Sequence, residues 1–238
     1  MLVDPFGDLS VRAMMHPGYL NPDYVSESGP TDKELTLFAL KDKKSGKLLC
    51  VFGNYSMHYF SGNPGFSADY FGEVAQIVEE KIIKEGTGIE SDFLAILSQG
   101  TSGDLYWVDY SKPKISQSRT EYSMGLSKKI FGLLNTLKYH SDIPFGMTER
   151  RIRISRRLPE KKRLDWAKKL NQLRGDITPR NRPEVYAQAS QWINNNPESE
   201  VVLQTIRMGD FIMTAMPNEV YAITGLKLKK QSPAKVTM

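Results

Sequence analysis

Residues 34–41 alternate apolar and polar, with Leu35, Leu37 and Ala39 on one side. That two-residue period predicts a half-buried strand. Ser45 and Gly46 supply a turn signal, and residues 47–55 form a second strand, so a hairpin is expected. From Asp69 to Lys84 the period changes. Phe71, Val74, Ile77, Val78 and Ile82 recur at helical spacing, and Gly86 and Gly88 end that helix. Residues 92–98 carry the unbroken run Phe93-Leu94-Ala95-Ile96-Leu97, typical of a central strand. A glycine-rich loop follows at 99–104. A long helix is predicted over 118–137, with Ile130, Leu133, Leu134 and Leu137 inward. Arg151-Ile152-Arg153-Ile154-Ser155 alternates as an exposed strand does. Leu164, Trp166, Ala167, Leu170 and Leu173 then approach helical spacing, with Lys and Arg on the other face. Another helix is predicted over 183–194, a hairpin over 201–206 and 210–215 across Met208-Gly209, and a last helix over 217–229. Strands alternate with helices while hairpins interrupt them. The expectation is an α/β fold, a mixed sheet with helices packed on it. Residues 1–238 read as one domain, with an irregular start (1–33) and a polar tail (231–238).

Composition narrows the class. The chain has 238 residues, 40% hydrophobic and 25% charged, enough for a sizeable core. Disordered, collagen-like and disulfide-scaffold classes are excluded. The one cysteine, Cys50, sits in an apolar strand and reads as a packed, inert thiol. No run is long and apolar enough to span a bilayer, and the first residues lack the features of a signal peptide. Charge is uneven. Between Gly146 and Arg182, thirteen Lys/Arg face four acids, a local +9; with the whole chain at +5, the remainder is −4. Such a block raises a polyanion or an anionic surface as partner. The alternating strand and the amphipathic helix within it also suit a solvated basic face, and no zinc-finger, RRM or phosphate-loop pattern accompanies it. Nucleic acid is therefore not the expected partner.

Candidate chemistry clusters where apolar strands stop, where α/β folds keep their sites. His58, in Asn54-Tyr55-Ser56-Met57-His58, suits zinc or a backbone carbonyl. His16 and His140 lie in different settings, and no His-x-His or His-x-x-x-His pair occurs. Ser67 or Asp69 can cap the following helix, and the same helix start can stabilise an anion. The stretch Gln99-Gly100-Thr101-Ser102-Gly103-Asp104 presents backbone N–H groups that can hold an oxyanion, or simply forms a tight turn. In Met216-Pro217-Asn218-Glu219, Glu219 complements a helix dipole in its first turn or serves beside a histidine as a metal ligand.

Taken in this order, the four segments resemble the catalytic domain of neutral/alkaline (non-lysosomal) ceramidases, especially the bacterial ceramidase-like proteins. The resemblance runs from about Leu35 to Lys230. It implies zinc-dependent hydrolysis of a lipid-like N-acyl amide, the ceramide bond of sphingolipids, or of a related ester. His58 and Glu219 then correspond to zinc ligands, Ser67 and Asp69 to the catalytic pair at the helix start, and Asn54, Gln99, Gly103 and Asp104 to the groups supporting the site or its oxyanion loop. It also implies export. Aligning Asp69 and Gly72 with the family's segment puts Ala68 at the serine position and Ser67 one residue early. The upstream His-x-His and downstream tyrosine ligands fall outside the chain, so two of four zinc ligands are expected and the chain reads as an internal piece of a longer hydrolase. Two other readings stand beside this one: a remnant of the fold without metal, and a polyanion-binding module using residues 146–182.

Overall fold

A computed structural model of the chain describes residues 16–22, 24–60, 62, 65–89, 92–172 and 178–238. Strands β1 (Leu35–Lys41) and β2 (Leu48–Tyr55) form the expected antiparallel hairpin. Its turn is held by Asp42 Oδ1, which accepts from the Ser45 N–H at 2.7 Å, and by Gly46 at φ 70°. Strand β3 (Leu94–Gln99) runs parallel to β2 on its other side, completing a three-stranded sheet. The crossover between these parallel strands is α1 (Asp69–Lys84), and α2 (Arg119–Leu134) packs beside it. Tyr70, Val74, Val78 and Ile82 recur every four residues on α1 and are buried against Val51, Ala95 and Leu97 of the sheet and Leu126 and Ile130 of α2. Each such side chain contributes roughly 1.5–3 kcal/mol by leaving water.

Local polar chemistry sets the helix ends and their docking. Ser118 and Glu121 exchange side-chain-to-backbone hydrogen bonds at the start of α2, satisfying two otherwise orphaned N–H groups. Glu73 of α1 accepts from Arg119 Nε at 2.6 Å and from Ser123 Oγ at 3.0 Å, tying the two helices together. Glu79 of α1 reaches β3, where its Oε1 accepts from the Ala95 N–H at 2.9 Å.

The second sheet has the order β4 (Phe145–Ser155), β5 (Glu198–Met208), β6 (Phe211–Ala215), β7 (Val236–Thr237). The β5–β6 hairpin turns at Gly209, φ 63°. Only Gln204–Met208 of β5 pairs with β6, so the half of the ribbon that pairs residues 150–155 with 198–203 extends beyond it. Between β4 and β5 the chain forms α3 (Lys161–Gln172) and α4 (Arg182–Asn195), which pack chiefly on each other. Ribbon and helix pair together make an arm. The two sheets meet where Phe38 of β1 stacks on Phe211 of β6, ring centroids 5.3 Å apart. Helix α5 (Ala222–Gln231) connects β6 to β7.

The mixed α/β class holds, with the strands divided between two sheets rather than gathered in one. Other expectations are corrected. The 93–97 run does not make a central strand: β3 lies at a sheet edge, with Ala95 and Leu97 in the core and Leu94 and Ile96 exposed on the face away from the helices. Leu133 is exposed rather than inward. The last helix begins at Ala222, not Pro217, because Asn218 sits in the left-handed region (φ 76°) and breaks the helical path. Glu219 therefore lies in a loop, not a first helical turn. The 231–238 tail ends in β7, parallel to β6, and Met238 is buried. Residues 1–15 of the irregular start, and Leu173, lie outside the described residues.

Candidate functional site

Because β2 and β3 are parallel, the loops that follow them leave the sheet at the same end, the usual place for a site in such a sheet. The first carries His58 and the second is the glycine-rich loop. The loop between β6 and α5 brings Glu219 to them. His58 Nε2 and Glu219 Oε1, from segments far apart in the chain, stand 3.9 Å apart. His58 is 24% exposed and Glu219 81%. They sit at a cavity of about 420 Å³, whose wall also includes Asn54, Gln99, Met213 and Lys229.

His58 is gripped from behind. The Asp69 carboxylate accepts from the Phe60 N–H and from the Tyr70 N–H, both at 2.8 Å. Tyr70 Oη donates to the Met57 carbonyl at 3.1 Å. Burial pushes the Tyr70 phenol well above its ordinary pKa, with Tyr122, Tyr55 and Asp69 adding to the shift. The hydroxyl thus stays a donor throughout the neutral range. Asp69 holds φ 51°, a conformation that aspartate tolerates better than most residues.

The glycine-rich loop is packed rather than open. The Gly100 N–H donates to the Tyr55 carbonyl and the Gly103 N–H to the Val220 carbonyl, each at 2.9 Å. These two amides are occupied and do not offer themselves to an oxyanion. Gly103 serves a different purpose: a Cβ there would run into the Glu219 backbone carbonyl, and one on Gly225 into Thr101 Oγ1. Absent side chains let α5 and the Glu219 loop close on the 100–104 loop. Asp104 Oδ1 accepts from the Ala222 N–H at 2.8 Å, so it caps α5 from across the fold. Asn54 Nδ2 donates to Ser98 Oγ at 2.9 Å, and Gln99 Nε2 donates to Ser102 Oγ at 2.6 Å.

Five of the eight sequence-predicted residues thus meet at one cavity: His58, Glu219, Asn54, Gln99 and Gly103. Asp104 adjoins it through its cap on α5. Ser67 does not line it. It is exposed, and its Oγ accepts from the Asp69 N–H at 3.0 Å. Asp69 does not line it either, and acts on His58 through the backbone of residues 57–60. His16 is engaged elsewhere, with Nδ1 2.7 Å from Tyr110 Oη. Cys50 is half-buried, and burial pushes its thiol up, consistent with an inert side chain.

One functional group was not foreseen. Lys229 of α5 donates to Asp32 at 2.8 Å and to Glu34 at 2.9 Å, and Ser56 Oγ donates to the same Asp32 oxygen at 3.3 Å. Asp32 is buried. Burial by itself would lower the Lys229 pKa; the two carboxylates more than offset this and leave it raised.

The donor set can be tested against zinc. Imidazole nitrogen and carboxylate oxygen are zinc ligands, and ligands about 2.0–2.2 Å from one ion lie closer together than 3.9 Å. The exposed Glu219 side chain can move that far. Among the described residues, however, no group of three or more candidate ligands occurs. An open catalytic site takes three, so the described residues fit two corners of a zinc site and do not complete it.

The fold is that of a mixed α/β domain, and it matches part of the fold of ceramidase structures. Two solved structures are similar to it. One is neutral ceramidase from Pseudomonas aeruginosa, 15% identical, TM-score 0.52, over 88% of this chain and 38% of that one. The other is a ceramidase complexed with C2, 14% identical, TM-score 0.55, over 92% of this chain and 42% of that one. This chain thus spans about 40% of the length of the structures it matches. No model of a known family and no curated protein matches the sequence. Among the described residues no helix is long and apolar enough to cross a membrane.

Proposed function

We propose that this chain belongs to a hydrolase of N-acyl amide bonds, ceramide-like, or of related ester bonds, with zinc held between His58 and Glu219. The observation that carries the reading is the meeting of these two side chains at the mouth of a cavity with methionine and other apolar walls. The likeness to ceramidase structures supports the substrate class. Zinc bound there would supply Lewis acidity at the acyl carbonyl. The chain's own residues hold the pair in place: Asp69 and Tyr70 fix the backbone around His58, and Gly103 and Asp104 fix the Glu219 loop. Ser67 stands away from the cavity, so this chain's contribution lies in binding and positioning rather than in a serine nucleophile.

A second reading, a remnant of the fold without metal, is favoured by the two-donor set and by Ala68. One experiment separates them: zinc per folded chain by elemental analysis, with fatty-acid release from a fluorescent N-acyl amide. The hydrolase reading expects about one zinc per chain, lost in His58→Ala and in Glu219→Gln while circular dichroism is unchanged. A folded wild-type chain that takes up no zinc and releases no fatty acid overturns the hydrolase reading for this chain and leaves the site incomplete, as its two donors are.

A further inference from the structure

The arm formed by residues 150–203 carries cations and exposed apolar side chains together. At its end, Ile152 and Ile154 share one face of β4, with Val201 of β5 beside Ile152. Arg156 leads out of β4, its guanidinium over the Trp192 ring, 4.6 Å from the centroid. That Trp is 55% exposed and Leu158, two residues beyond Arg156, is 50% exposed. In the same stretch of chain Arg150, Arg153, Arg157, Lys161 and Lys162 are exposed, Arg150 on the face of Ile152 and Ile154 and Arg153 on the other, and none makes an ion pair with a described residue. Over residues 150–162 and the facing 198–200 there are seven cations and three carboxylates, Glu160, Glu198 and Glu200. Among the described residues, Arg151 alone of these cations is drawn into ion pairs, with Glu149 and Glu200.

We infer that this arm end binds the surface of an anionic lipid bilayer. Lys and Arg are drawn to the negative surface potential, and an indole flanked by exposed aliphatic side chains suits the headgroup boundary. The aliphatic residues decide between polyanions. Nucleic acid uses cations and aromatic faces for phosphates and bases, and exposed isoleucines and a leucine add nothing there. The inference stands on this surface alone and is independent of the hydrolase reading.

The test is partitioning of the full chain onto phosphatidylcholine vesicles with and without phosphatidylglycerol, at low and high salt. Binding is expected only with phosphatidylglycerol, weakening as salt rises. Arg157→Gln/Lys161→Gln/Lys162→Gln should lower the partition coefficient about a hundredfold, at roughly fivefold per cation. Removing three exposed cations outside the arm, with Lys33→Gln/Lys47→Gln/Lys84→Gln, should change it little. Leu158→Ser should weaken vesicle binding several-fold. In the unmodified chain, brominated lipid should quench a tryptophan signal that Trp192→Phe removes. Equal binding to neutral vesicles, equal loss in the two triple variants, or no Trp192 quenching overturns the inference. So does tighter binding to a labelled oligonucleotide that Leu158→Ser leaves unchanged.

Discussion

Asp32 and Lys229 are 197 residues apart in the chain and 2.8 Å apart in space. Nothing local to either marks the pair: one sits in an irregular segment, the other in a lysine-rich helix end. Asp32 is buried, so a chain without the lysine leaves a carboxylate in a poor solvent. Lys229→Met should cost about 3 kcal/mol, the lower end for a broken buried pair, since Lys229 keeps some contact with water. The pH dependence follows from the raised lysine pKa. Stabilisation by the raised group is fully present below the unfolded lysine value, about 10.4, and is lost as pH rises through the folded value. Thermal melts of wild type and variant should therefore differ by a constant amount from neutral pH to about pH 10, then converge. A gap that stays open in strong alkali would contradict this. His58 and Glu219, by contrast, were legible as individual residues, each marked by a polar group where an apolar strand stops. Their mutual distance was not, because it depends on how α5 closes against the 100–104 loop.

At the scale of elements, periodicity placed α1 to the residue, since its buried face repeats every four positions. It misplaced the start of α5. The capping oxygen there comes from Asp104, 118 positions away, whereas sequence signals for helix starts look only a few residues back. Two glycines illustrate how the same residue type answers to different constraints. Gly103 has backbone where a Cβ would go; Gly125, on α2, has open space. Gly103→Ala should destabilise by roughly 1–3 kcal/mol through overpacking and weaken any zinc uptake by moving Glu219. Gly125→Ala should stabilise by about 0.5–1 kcal/mol, the ordinary helix preference for alanine. Paired denaturant titrations would check both, and two shifts of the same sign would count against this account of the Glu219 loop.

Across the whole molecule, large buried side chains concentrate between the three-stranded sheet and helices α1 and α2. Among the described residues of the arm, the fully buried ones are small: Ala167, Ala187 and Ser190. Hydrogen exchange should follow this division, with α3 and α4 amides opening at lower free energy than those of α1 and β2. Uniform protection would show that the arm is braced by more than its own helix pair. Composition located the basic segment correctly and left its shape open, because a run of charges does not reveal that β4 and β5 extend past β6. The 93–97 run misled in the opposite direction: its composition is that of a strand covered on both faces, whereas one face here is bare.

That bare strand also has an unpaired side, and Glu79 bears on what happens there. With its Ala95 N–H already held by a carboxylate of α1, β3 is a poor template for an incoming chain. A newcomer would have to displace a charge-assisted hydrogen bond, worth more than the neutral one it would make, before the ladder could grow. A protein with exposed Leu94 and Ile96 on such a strand would otherwise be prone to aggregate through it. One glutamate of α1 thus occupies a donor on the unpaired side of β3 that an incoming strand would need.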